Sequence, residues 1–185
     1  MKSVLISIQP KWCELIASGK KTVEVRKSRP KLEAPFKVYI YETKGRTEIP
    51  TFIDEDGHEI YQGRGQVIGE FVCETMTYAI SGDYCILPKS KTLIDELDLL
   101  DYADGKPLYG WHISDLVIYD KPRELSEFKT VCEGLKPYQC DKCEYSYTES
   151  NESIGVYHGC GCDNLKPLKR PPQSWCYVES EVQGE

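Results

Sequence analysis

Apolar and polar positions along this chain fall into short segments, most of them with the two-residue period of a strand. "VLISI" at residues 4–8 is an apolar run of strand length. Pro10 then opens a short helix over 10–18, because proline fits a first helical turn, and Gly19 is its stop. From 21 to 27 the alternation resumes, with Val23 and Val25 on one face and Thr22, Glu24 and Arg26 on the other. This predicts a strand with one buried and one wet face, closed by Pro30. Residues 36–43, 65–78, 109–120 and 174–180 predict further strands, and Gly69 marks a bulge or bend within the second of these. Asp56-Gly57 predicts the turn of a hairpin within 48–63. Residues 90–103 carry a helical period with Leu93, Leu97 and Leu100 on the apolar side.

Many short strands and only two evident helices predict an α+β fold, a small, mostly antiparallel β-barrel with helices packed at its ends. The 185 residues suit a single domain spanning 1–185. Residues 132–165 break the composition and read as a Cys-rich insertion before the last strand.

A hydrophobic content of 40% with 13 tyrosines and 3 tryptophans places the chain among globular proteins. Apolar runs stop far short of the roughly 20 residues a membrane span needs, so no membrane partner is expected. Met1-Lys2-Ser3 leads into a strand without a signal-peptide core, which makes the cytoplasm the expected location.

Charge changes this picture. The net charge of −7 argues against broad binding along duplex DNA. Yet "GKKTVEVRKSRPK", Gly19 to Lys31, holds six cationic side chains in thirteen residues. A solvated edge strand explains such a strip, and so does a site for an anionic ligand. In the second reading Thr22, Glu24 and Arg26 share a face with Lys21 at its mouth. Arg26 suits bidentate contact with phosphate or a base edge, while Lys20, Lys21, Lys27 and Arg29 attract an anionic backbone. Glu24 would accept from an exocyclic amine. Trp12, Trp111 and Trp175 serve either the core or base stacking. His112 is either a structural residue or a cleft group. Gln173 and Ser174 form either a cleft rim or a turn.

The nine cysteines form a second constellation. An odd count without a secretion signal points to reduced thiols, metal ligands or both. Cys140-x-x-Cys143 has the spacing with which a tight turn aims two thiolates at one metal, and Cys160-Gly161-Cys162 offers a second pair. Four thiolates predict a structural zinc, with Cys132 or His158 as substitute ligands, against unliganded thiols or a redox pair. A segment so poor in apolar residues would draw its folding energy from the metal. So stapled, it would also offer a surface to a protein partner.

Three runs carry a resemblance. "SIQPKWCELIASGKKTVEVRKSRP", "YGWHISDLVIYDKPRELSEF" and "RPPQSWCYVE" are similar to the bacterial and phage branch of the ASCH domain, within the PUA-like superfamily. The first run holds the family's G-x-K-T signature as Gly19-Lys20-Lys21-Thr22. The resemblance implies a compact PUA-like β-barrel with a cleft beside the helix-to-strand turn, and binding of RNA, single-stranded nucleic acid or a nucleotide. For some small members it implies amidohydrolase action on acylated nucleosides, with a lysine before the motif threonine and a nucleophilic threonine two residues after it. Lys21 matches that lysine, but the nucleophile position holds Glu24. An enzyme built on this chain would therefore use Lys21 and Glu24 as acid–base residues and Thr22 as a positioning hydroxyl.

Overall fold

The computed structural model describes residues 2–46, 50, 52–53, 55–60, 62–81, 84–130, 146–151, 155–160 and 166–179, some in backbone only. The elements follow the apolar runs. They are β1 (Lys2–Ile8), α1 (Pro10–Ala17), β2 (Val23–Arg26), β3 (Phe36–Glu42), β4 (Phe52–Ile53), β5 (Glu59–Ile60), β6 (Val67–Tyr78), β7 (Ile80–Ser81) and β8 (Tyr84–Cys85). After these come α2 (Lys89–Thr92), α3 (Glu96–Ala103), β9 (Tyr109–Arg123), β10 (Lys129–Thr130), β11 (Ser146–Asn151), β12 (Gly155–Cys160), β13 (Lys166–Pro167) and β14 (Trp175–Glu179).

One eight-stranded sheet dominates, in the order β13-β10-β14-β1-β3-β6-β9-β2. It is antiparallel except for β1 and β3, which run parallel from Val4↔Val38 to Ile8↔Glu42. The α+β class therefore stands, and the closed barrel does not. Among the described residues the ladder has two free ends, β13 and β2.

Side chains bridge the gap that the ladder leaves. Arg26 Nη2 donates to the Ser7 carbonyl at 2.6 Å, Trp175 Nε1 to Ser28 Oγ at 3.0 Å, and the Lys31 N–H to the Tyr177 hydroxyl at 2.7 Å. These bonds tie β2 and the residues after it to β1 and β14, which lie at the other side of β3, β6 and β9 in the sheet. The sheet thus curls until its β2 edge reaches β1 and β14. Its four-residue edge strand β2 gives way to Pro30, which has no N–H to offer a ladder.

Two apolar layers cover the sheet around the strip. Val4, Ile6 and Ile8 pack with Cys13, Ile16, Phe36, Val38, Ile40, Phe71 and Trp111, so α1 closes one side. On the other side Val23 and Val25 pack with Ala79, Leu87, Leu99, Ala103 and Leu108. Both faces of β2 are covered, which replaces the expected wet face. The single helix expected at 90–103 is instead α2 and α3, broken at Leu93, whose φ of 58° is left-handed. The break resets the helical phase: Leu99 and Ala103 are buried, whereas Leu97 is 76% exposed.

Gly69 does mark irregular pairing, with register shifts on its β9 side and between Ile40 and Tyr41 of β3. The hairpin at Gly57 is also present, as β4 paired with β5.

Candidate functional site

The turn from α1 into β2 is fixed by its own backbone. Gly19 takes a φ of 72°, a left-handed conformation that suits glycine, and its N–H donates to the Ile16 carbonyl at 2.8 Å. The Lys21 N–H then donates to Leu15 O at 2.8 Å, and the Thr22 N–H to Lys91 O at 3.0 Å. These bonds send Lys21 inward. Its side chain is wholly buried, with Nζ donating to Thr92 O at 2.6 Å and lying 4.8 Å from the Trp12 ring centre.

Glu24 is buried between two cations, the buried Lys21 and the largely buried Arg26. Its Oε2 is 3.6 Å from Lys21 Nζ and its Oε1 is 3.0 Å from Arg26 Nη2. Burial pushes the Lys21 pKa down, and the neighbouring Glu24 carboxylate opposes that shift. Arg26 Nε and Trp111 Nε1 are buried donors without a hydrogen-bond partner among the described residues. Register places these groups together: Glu24 pairs with Trp111 and Arg26 with Tyr109.

Thr22 does not join this cluster. It precedes β2 and is exposed, so hydroxyl, carboxylate and cation do not share one face. Lys20 and Arg29 are also exposed, and Lys27 is half-buried. The cationic strip therefore divides into Lys21 and Arg26, turned inward, and Lys20, Lys27 and Arg29, which have no ion-pair partner among the described residues.

Trp111 is buried in the core, at 5.9 Å from Phe36 and 6.2 Å from Trp175 between ring centres. His112 pairs with Val23, which puts it on the opposite face from Glu24. There its Nε2 bonds Thr77 Oγ1 at 2.8 Å, and burial together with Lys91 holds its pKa below the ordinary imidazole range. Ser174 accepts from the Ser7 N–H at 2.8 Å, and Ser7 also receives Arg26 at its carbonyl. Ser174 and the exposed Gln173 thus sit beside the charged cluster.

Sequence pattern had missed the tyrosines around the outer cations. Arg29 lies 5.7 Å from the centre of Tyr109, Tyr109 meets Tyr78 edge-on at 5.7 Å, and Lys27 lies 4.8 Å from Tyr102. Tyr78 and Tyr109 are the end residues of predicted strands, and only the β6–β9 register, Tyr78↔Tyr109, brings them together.

The zinc expectation is corrected. Among the described residues no group of three or more His, Cys, Asp or Glu is placed to hold a metal ion. Cys132, Cys140, Cys143 and Cys162 lie outside the described residues, as do the side chains of His158 and Cys160. The described part of the segment is organised by a backbone ladder, Ser146↔Cys160 to Asn151↔Gly155, which supplies hydrogen bonds in the way a metal was expected to supply ligand bonds. Cys13 and Cys73 are buried thiols and Cys176 is partly buried: burial pushes Cys73 up to about 12 and Cys176 up to about 11, away from thiolate chemistry. No described helix is long and apolar enough to cross a membrane.

An open mixed sheet with one helix seated before a charged edge strand defines an α+β protein. The ASCH domain family matches residues 6–160, and the chain belongs to that family. Among solved structures it is similar to a single-substitution mutant of an ASCH protein from Zymomonas mobilis, at 21% identity and a TM-score of 0.50, over 68% of this chain and 77% of that one. The unsubstituted Zymomonas mobilis protein gives 22% identity and a TM-score of 0.47, over 66% and 73% of the two chains. These likenesses concern the fold alone. Comparison with curated proteins gave no match.

Proposed function

We propose that this chain is one ASCH domain that binds RNA, single-stranded nucleic acid or a nucleotide at the turn between α1 and β2. The observation that carries the reading is the division of the cationic strip. Lys21 and Arg26 are spent on Glu24 and make a rigid base, while Lys20, Lys27 and Arg29 stay at the surface with no described ion-pair partner. In a protein of net charge −7, unpaired cations held together on one edge attract a polyanion locally while the rest of the surface repels it. Family membership supports the same reading.

Titration of a labelled single-stranded RNA against rising salt tests it. Affinity falls with salt, and Lys27→Ala or Arg29→Ala each weakens binding and lowers the log–log salt slope by about 0.7, the share of one phosphate contact on a single strand. Absent or salt-independent binding overturns the proposal.

Hydrolysis of an acylated nucleoside is a second reading, favoured by the lowered pKa of Lys21 beside Glu24. It requires product from a panel of acylated nucleosides and loss of that product in Glu24→Gln. A panel without turnover removes it.

A further inference from the structure

We infer that Tyr78, Tyr109 and Arg29 form a platform on which an unpaired base of a single-stranded RNA stacks. The inference rests on the proposed nucleic-acid binding and names how the bases, as distinct from the phosphates, are held.

The platform follows from register. Tyr109 pairs with Arg26 on one side and with Tyr78 on the other, so the three side chains share the face that carries Glu24 and Trp111. Deeper along that face the groups are buried and mutually engaged. At its rim Tyr78, the last residue of the 12-residue β6, is 52% exposed, a large exposure for an aromatic residue on a paired strand. Tyr109 presents its ring edge-on to Tyr78 and carries the Arg29 guanidinium above it. The arrangement fixes one ring and one planar cation in orientation while leaving the Tyr78 ring open to solvent.

Charge complementarity identifies the occupant. Two residues before Arg29, Lys27 lies over Tyr102, which is 43% exposed, so cation and aromatic ring recur along the same stretch of chain. Alternating cations and exposed aromatic rings match a single strand, whose phosphates take the cations and whose unpaired bases take the rings. A duplex keeps its bases stacked on one another and offers only phosphates to such a surface.

The test compares two ligands of equal phosphate count, an oligouridine and an abasic oligomer of the same length, on the full chain. The wild type binds the oligouridine more tightly. Tyr78→Ala loses about fivefold or more on the oligouridine, the scale of one stacked base, and nothing on the abasic oligomer. Tyr78→Phe, which keeps the ring, retains wild-type affinity for both. Tyr78 is exposed enough for these variants to fold, which circular dichroism checks. Equal wild-type affinity for the two oligomers, or a Tyr78→Ala variant that binds oligouridine as the wild type does, overturns the platform and leaves the phosphate-binding proposal standing. A wild type that binds neither oligomer at low salt overturns both.

Discussion

At the scale of residues, Glu24 decides what the cationic strip becomes. Two cations point inward at it, and a buried cation without its partner is strongly destabilising. Glu24→Gln keeps the shape but removes the charge, and is expected to destabilise the fold by about 3–5 kcal/mol at neutral pH. The loss has a pH signature through Lys21. Its folded pKa already lies below 10.5, because burial disfavours the ammonium and Glu24 only partly offsets that. Between that lowered pKa and 10.5 the unfolded chain therefore binds more protons at this site than the folded one, and stability rises with pH across that window. Removing Glu24 lowers the folded pKa further and widens the window. Urea unfolding over a pH series from about pH 7 to about pH 10 checks both parts, since the deficit of Glu24→Gln shrinks as the pH rises through the further lowered Lys21 pKa of the variant. A variant as stable as the parent would mean that Glu24 does not hold the cluster together. The members of this cluster were legible in the sequence, and their orientation was not. A two-residue period says which side chains share a face. It does not say that α1 and Trp12 will cover that face as well.

At the scale of elements, the strong patterns carried through to the structure. The predicted first strand, helix, third strand and last strand correspond to β1, α1, β3 and β14 within two residues at either end. Long apolar alternation leaves a strand one consistent way to pack, and Pro10 and Gly19 fix the ends of α1. The helix at 90–103 went astray because its spacing is equally compatible with two short helices. Leu93 enters the left-handed region between them, and the apolar phase restarts at Glu96. The two-residue strands β7, β8, β10 and β13 carry too few positions for a period to show. Gly69 illustrates a local signal with a long-range cause. A Cβ there would lie 2.4 Å from the Val117 carbonyl oxygen and 3.0 Å from Ile118 Cδ1, so β6 and β9 approach too closely for any side chain. Gly69→Ala is expected to destabilise by about 1–3 kcal/mol, as overpacking against fixed backbone does, with the loss read from the midpoint of urea unfolding. An unchanged midpoint would show that β9 yields at no cost.

At the scale of the whole molecule, the sheet is an open curl whose β2 edge is tied to β1 and β14 by side chains, and no local pattern could have distinguished this from a ladder-closed barrel. Strand period and length are the same in both, and the difference lies in whether β2 pairs with β1 or reaches it through Arg26. The sheet order also fixes what residues 131–165 contribute. The chain departs after Thr130 of β10 and returns at Lys166 of β13, and those two residues are antiparallel partners, as are Lys129 and Pro167. The ends of the segment are therefore neighbours across one ladder. The β11–β12 pair belongs to a separate two-stranded sheet, and no ladder joins it to the main one among the described residues. Replacing 131–165 with Asn-Gly should convert β10 and β13 into an ordinary hairpin, because a two-residue turn of that type spans adjacent antiparallel ends. The shortened chain keeps β1, β2, β9 and β14, and with them every contact of the Glu24 cluster described here. Its expected behaviour is a cooperative thermal transition and RNA affinity within about twofold of the parent, since distant changes without shared partners act independently. Loss of the cooperative transition would show that the excised segment holds the main sheet together. Retained folding with lost affinity would instead move part of the binding surface away from the α1–β2 turn and onto that segment.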